Sequence, residues 1–470
     1  MTHNALQLET RNSELETSAH RLIVFSDDWG RHPSSCQHLI GQLLPRYQTL
    51  WVNTIGTRSP RLSWEDFGKA IKKIGQWIRP PAKEVRASVK VKEEGTEARR
   101  HEGTKGGAAL RNLTVVSPKM FPGFRRAWQR KLNRRLIVRA IHKALGPRLP
   151  GEVRTAITTI PITADLPKRD ANDDGGLDVD RWVYYCVDDF SVWPGLDGSV
   201  LDAMDQQMAL RADAIVAVSQ TLRDRIAVWG RESVLLTHGI DLEHWGKETG
   251  DRTQETGDRG QGTKIRDSKF EIGNQKSEIG HQKLEIRNHQ SPAPSAAWVG
   301  TASKPIFLFW GVVDQRLDVD WCLTIADKLG TLILLGPQQS PSPRLMNHPR
   351  ILMPGPAPYD SLPALAAAAD VLVMPYADLP VTRAIQPLKF KEYLATGKPV
   401  IARALPATVE WADAADVLDS IESLLAIAPE RLAKGVPASQ MQARTRLADE
   451  SWGAKAAVLE GVICDPSRNA

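Results

Sequence analysis

Twelve short apolar runs, each followed by a longer stretch with its apolar residues on one helical face, constrain this chain more than any other feature. Seven lie in the first half, at 21–25, 49–53, 113–117, 155–160, 181–187, 214–218 and 234–237. Five lie in the second, at 305–310, 331–335, 350–353, 371–374 and 399–402. This alternation is the pattern of a parallel sheet covered by helices. A chain of 470 residues is too long for one ordinary core, so two doubly wound, Rossmann-like α/β domains facing a central cleft are expected. Ligands of such sheets bind beyond the carboxyl ends of the strands, so the chemistry belongs in the loops there.

Between the patterned regions lie segments of another composition. A polar leader occupies 1–20. A charged, Gly-rich stretch at about 83–109 has almost no large apolar residue with which to offset its ordering entropy. From 246 to 302 a seven-residue unit recurs: Glu248-Thr-Gly-Asp-Arg-Thr-Gln returns at Glu255, and related units begin at Glu271, Glu278 and Glu285. Each later unit has one dependable Ile, and Gly interrupts two of them, so the apolar seam of a coiled coil is missing and a disordered insertion is expected. The domains are then 21–245 and 303–437, with a C-terminal helix and tail at 438–470.

Composition removes several classes of protein. The hydrophobic and charged fractions, 42% and 25%, are those of a globular chain. Cys36, Cys186, Cys322 and Cys464 are too scattered for a disulfide framework or a zinc site. The start has no signal-peptide core, and the longest apolar stretch, 362–377, is broken by Asp370. A cytoplasmic protein, at most peripheral to the inner face of a membrane, is expected. A net charge of +6 permits an anionic partner without selecting one.

The segment 383–402 carries the most chemical information. Pro387 suits a helix start, Leu388, Tyr393 and Leu394 can face the sheet, and Gly397 can end the helix before Pro399 opens a strand. Lys389 stands in the first turn, where the helix dipole disfavours a cation. A helix N-terminus with a lysine suits a phosphate group, and Glu392 one turn on could accept ribose hydroxyls. The bland alternative is a solvated Lys–Glu pair. Both readings keep these side chains out of the core.

This segment resembles the donor-binding signature of retaining GT-B glycosyltransferases of the sucrose-synthase and mannosyltransferase superfamily (glycosyl transferases group 1). Their Glu-x7-Glu motif ends in a carboxylate on the donor ribose, matched here by Glu392, whereas the first Glu falls at Ala384. The likeness continues at 309–316, a Gly-bearing loop where Gly311 would let backbone approach a diphosphate. Val312 stands there in the place of the usual Arg, and Arg316 is the nearest cation to the usual Lys. Gly336 lies in the next strand-to-loop turn, and Gln386 belongs to the signature itself. The resemblance thus implies donor contacts from Gly311, Arg316, Gly336, Gln386, Lys389 and Glu392. His238 occupies the Asn place of the turn closing the first domain and is read as a turn residue.

The first domain would then face the acceptor. Gly30, Arg31 and His32 lie in the loop after the first strand, where the resemblance places an acceptor loop, and Ser34 or Ser35 can cap the following helix. Asp188 and Asp189 end a later strand where many such enzymes have His-Asp near the reacting sugar, and they are the catalytic candidates. They could instead cap a turn, hold a metal, or form a glycosidase pair. With no third ligand nearby, no metal is expected, and no cofactor beyond the nucleotide-sugar substrate.

Ten Lys or Arg and no acid lie within 119–148, with apolar residues at helical spacing. This is either a sheet-covering helix with a solvated basic side or an amphipathic helix resting on an anionic membrane. No nucleic-acid motif accompanies it. Taken together, the resemblance implies transfer of a sugar from a nucleotide donor to a glycan or lipid-linked acceptor hydroxyl, with retention and without metal, in cell-surface polysaccharide or glycolipid synthesis. A non-catalytic GT-B binding module and a GT-B sugar-nucleotide epimerase are the rivals.

Overall fold

The computed structural model describes residues 20–30, 34–53, 110–168, 170, 173, 175–193, 196–246 and 296–465. The leader up to residue 19, the 83–109 stretch, the heptad units, Arg31 and His32 lie outside them.

The first sheet contains β1 (His20–Ser26), β2 (Gln48–Asn53), β3 (Leu113–Val116), β4 (Val153–Thr158), β5 (Arg181–Cys186), β6 (Ala214–Ala217) and β7 (Val234–Leu235) in the order β3-β2-β1-β4-β5-β6-β7. The second contains β8 (Ile306–Trp310), β9 (Thr331–Leu335), β10 (Ile351–Gly355), β11 (Val371–Met374), β12 (Val400–Arg403) and β13 (Asp416–Leu418), ordered β10-β9-β8-β11-β12-β13. The pairings are parallel throughout. Each apolar run of the sequence is a strand, because a run buried on both faces needs no alternation: all five residues of β8 are buried.

Each sheet has its own hydrophobic core. Among the helices used below, α1 (Ser35–Leu43) follows β1, α2 (Ala127–Leu145) follows β3, α3 (Gly198–Arg211) follows β5 and α4 (Gln220–Val228) follows β6. In the second lobe α5 (Leu388–Ala395) precedes β12, and α6 (Trp452–Cys464) ends the described chain. Ser34 caps α1, its side chain accepting the Gln37 N–H. Helix α6 returns to the first lobe, where Trp452, Leu459 and Val462 join that core. Its approach runs beside the outgoing chain: Ile240 N–H donates to Glu450 O at 2.8 Å and Trp452 N–H to Ile240 O at 3.3 Å. Gly239 is needed at this crossing, since a Cβ there would lie 2.7 Å from the Trp452 ring.

Trp298, from the region read as low-complexity insertion, is 3% exposed and belongs to the second core. A single bulky indole outweighs the polar composition around it. No described helix is long and apolar enough to cross a membrane.

Candidate functional site

The carboxyl ends of both sheets face each other across the cleft, and α5 starts there. Pro387 is its N-cap residue in extended conformation, and Phe390, Tyr393 and Leu394 are buried against the second core. Gly397, with φ +71°, follows its end in the left-handed region.

Lys389 reaches back over the loop after β8. Its Nζ lies 4.4 Å from the Phe309 ring centroid and 5.2 Å from that of Tyr376. A Cβ on Gly311 would sit 1.9 Å from this ammonium, and one on Gly336 would sit 1.9 Å from Gly311 O. Both glycines have positive φ, 143° and 149°, so this nest of two turns tolerates no side chain. Among the described residues no carboxylate comes within ion-pair distance of Lys389. It is a half-buried cation beside open backbone.

Glu392 departs from expectation, because it lies in the core at 8% exposure. Trp310 Nε1–H donates to one carboxylate oxygen at 3.2 Å and Tyr359 O–H to the other at 3.1 Å. Burial raises its pKa, while these two donors and Lys389 oppose the rise. Each oxygen keeps a lone pair for another donor. Trp310 stacks on Trp245 and Tyr359 on His244, so the segment Leu242–Gly246 leaving the first lobe packs against the site.

Arg316 is also buried, at 9% exposure. Its Nε–H is 3.0 Å from both oxygens of Asp314, and its guanidinium lies 5.1 Å from the Trp193 ring of the opposite lobe. Across the cleft, Asp188 is half-buried and its carboxylate has no hydrogen bond among the described residues. Burial pushes its pKa up to about 7, with Arg316 pulling down and Asp189 adding to the rise. Asp189 differs: it accepts from Ser191 N–H at 3.0 Å and pairs with Arg225 at 3.0 Å. Arg225 also holds Asp202 at 2.6 Å and Asp205 at 2.7 Å, and Asp205 accepts the Tyr184 hydroxyl.

Gly30, with φ +75°, donates its N–H to Gln37 Oε1 at 3.1 Å, which ties the loop after β1 to α1. Gln386 is 7% exposed with an unpartnered Oε1. At the Ala384 position the backbone carbonyl accepts from Ser219 Oγ at 3.0 Å, joining the lobes. His238 is buried, and its pKa is lowered to about 3 by that burial, with Lys391 adding. A neutral ring in the lobe crossing fits a turn residue.

Sequence reasoning passed over Lys391. Two positions from Lys389, it points to the other side of α5 and is 3% exposed. Its Nζ donates to Thr237 Oγ1 at 3.1 Å, to His238 O at 2.5 Å and to Glu450, which Lys455 also holds at 2.7 Å. Burial pushes its pKa down to about 8, with Glu450 opposing. The available signal was a lysine on the side of the helix that faces the core. Among the described residues no cluster of three or more His, Cys, Asp or Glu could hold a metal.

No protein-family model matches the chain. TuaH of Bacillus subtilis strain 168, assigned as a teichuronic acid biosynthesis glycosyltransferase, is 39% identical over 64 residues. That match spans 14% of this chain and 16% of TuaH. Among solved structures, HepE of Anabaena in complex with UDP and glucose aligns over 94% of this chain and 98% of its own, with a TM-score of 0.55 and 11% identity. A UDP-forming α,α-trehalose-phosphate synthase from Burkholderia xenovorans aligns over 95% and 99%, with a TM-score of 0.54 and 11% identity. These likenesses, with the two parallel sheets and their flanking helices, show that the chain has the two-lobed GT-B fold.

Proposed function

We propose that this protein is a glycosyltransferase that moves a sugar from a nucleotide-sugar donor, held by the second lobe, to a hydroxyl of an acceptor facing the first. The observation that carries this reading is Lys389: a half-buried ammonium with no carboxylate partner among the described residues, at a helix start, beside two glycine turns that only bare backbone can form. An unpaired cation in a sparsely solvated place is costly without an anion to meet it. A diphosphate fits, cradled by the backbone of Gly311 and Gly336. Glu392 on the same helix would take the ribose hydroxyls with its remaining lone pairs, and Gln386 offers its unpartnered Oε1 to a donor hydroxyl.

In this reading Arg316 acts mainly on charge. It is already paired with Asp314, so it adds positive potential to the cleft and restrains the pKa of Asp188. The leaving diphosphate is stabilised by Lys389, Arg316 and the start of α5, without a metal. Asp188, its carboxylate without a hydrogen bond among the described residues and its pKa near neutrality, is the group to receive the acceptor proton or steady developing charge. Asp189 holds the Asp188 loop in place, and the Gly30 loop lines the acceptor side. Retention of configuration is part of the proposal. So is an acceptor that is a glycan or lipid-linked glycan of cell-surface polysaccharide or glycolipid synthesis, a class supported by the short TuaH match. UDP-glucose is the donor to test first, since HepE binds UDP and UDP-glucose. The buried Ala384, where a donor-facing carboxylate could stand, favours a non-catalytic nucleotide-sugar module as the second reading.

Calorimetry with UDP and uridine, alongside mass-spectrometric detection of slow UDP-glucose hydrolysis, tests both readings. UDP binding that depends on Lys389, with turnover, supports the transferase. Binding without turnover in any acceptor mixture supports the module, and no binding of any nucleoside diphosphate overturns both.

A further inference from the structure

Helix α2 has a face that sugar transfer does not use. Its buried side, Ile137, Val138 and Ile141, packs on the first core. On the opposite side Trp128, Lys131, Leu132, Arg135, Arg139 and Lys143 recur at the three- and four-residue spacing that lines one helical face. All six are exposed, Trp128 at 50% and Leu132 at 37%. The cations of the helix fall into two groups. Arg130 is ion-paired with Asp165 at 2.6 Å and Arg134 with Asp173, so these two fasten the helix to the lobe. Lys131, Arg135, Arg139 and Lys143 have no carboxylate partner among the described residues, and the helix carries no acid. The structure therefore combines the two sequence readings: α2 covers the sheet and still presents a basic, indole-bearing face.

We propose that this face docks on an anionic lipid bilayer, with Trp128 and Leu132 entering the boundary between headgroups and acyl chains and the four unpaired cations lying over the headgroups. A helix of 19 residues presents a line of charge suited to a flat anionic surface. An indole has an apolar body with one polar N–H, the balance that the headgroup level accommodates. Phe121 packs edge-on against Trp128, centroids 5.0 Å apart, which extends the apolar tip at the N-terminal end of α2. That end lies at the cleft side of the lobe: α2 begins after the loop leaving β3, and Arg125 pairs there with Asp197 at the start of α3. Docking thus brings the cleft mouth close to the bilayer surface.

Co-sedimentation with phosphatidylcholine vesicles, with and without phosphatidylglycerol, tests the assignment. The wild-type chain binds the anionic vesicles at low salt and the neutral ones weakly. The variant K131Q/R135Q/R139Q/K143Q loses roughly a hundred-fold or more in partitioning, and W128S/L132S loses about ten-fold and the salt-resistant fraction. R130Q/R134Q, which changes as much charge per residue on the fastened side, keeps partitioning within about two-fold of wild type. UDP binding without vesicles is unchanged in the four-cation and apolar variants, so this result is separable from the donor site. The proposal is overturned if wild type ignores anionic vesicles, if R130Q/R134Q loses as much as the four-cation variant, or if an RNA duplex binds this face more tightly than vesicles do.

Discussion

The start of α5 and the loop after β5 face each other across the cleft, and each carries two like charges close together. In α5, Lys391 is buried among three oxygens while Lys389 has no ion partner among the described residues. In the loop, Asp189 is bonded to Arg225 and Ser191, while the Asp188 carboxylate has no hydrogen bond among the described residues. The bonded member fixes the element, and its neighbour is left unpaired toward the cleft. The two regions differ in what their bonded member holds. Asp189 belongs to a network within the first lobe, whereas Lys391 reaches the two chain segments that join the lobes.

The largest effect tests the free acid. Asp188→Asn keeps the shape of the loop and removes the proton acceptor, so kcat for sugar transfer should fall by roughly a hundred- to ten-thousand-fold, with thermal stability no lower than wild type because burial disfavours the ionised carboxylate. Because the Asp188 carboxyl sits at about 7, its base form fills in as pH rises through neutrality, and wild-type kcat/KM should rise across that range and flatten above it. A profile unchanged in Asp188→Asn would take the comparison apart on the acceptor side.

Next comes the bonded lysine. Lys391→Ala leaves Glu450 to Lys455 and the Thr237 hydroxyl and empties a buried position, and unfolding free energy should drop by about 3 kcal/mol. Lys389→Ala should leave unfolding alone and weaken UDP binding by about ten- to hundred-fold, equivalent to roughly 1.5–3 kcal/mol, with uridine hardly affected. Equal behaviour of the two lysine variants in melting and calorimetry would erase the distinction between them. Glu392→Gln sharpens the same point. With its Oε1 toward Trp310, the amide NH2 faces the Tyr359 hydroxyl, which must turn from donor to acceptor while still accepting from Trp245 Nε1–H, so stability should fall by about 1 kcal/mol as uridine and UDP affinities both decline.

The smallest effect belongs to the heptad segment. Deleting 247–294 spares Trp298, and loop-closure cost varies by only about 0.6 kcal/mol per doubling of length. Differential scanning fluorimetry should show nearly the wild-type Tm, and a collapse of folding would show that the repeats are structural.

What could be read from the sequence follows from how local each signal is. The strands were legible because runs such as Ile306–Trp310 state their burial in five consecutive residues. Strand β13 was not, since only Val417 and Leu418 are apolar, and Asp416 is buried through Arg431 and Gln440 from later in the chain. Lys389 was legible because a cation in a first turn is locally unfavourable. The burial of Glu392 was not, because its donors, Trp310 and Tyr359, are brought together only by the second sheet. The sorting of Asp188 from Asp189 depends on Arg225, and the sorting of the α2 cations depends on Asp165 and Asp173. Partners tens of residues away leave no mark on local spacing.

The return of α6 makes the first lobe discontinuous along the chain, with the second lobe inserted between its body and its last helix. A fragment ending before the heptad segment would therefore carry an uncovered apolar wall where Trp452, Leu459 and Val462 should lie, and would be the aggregation-prone half of any split. Severing the backbone inside the heptad segment is a different operation, because α6 stays covalently attached to the second lobe and can still seat itself on the first. The two pieces of such a nicked chain should co-purify as one particle, and any circular rearrangement of the gene that keeps α6 next to α1 should fold with its termini in the repeats.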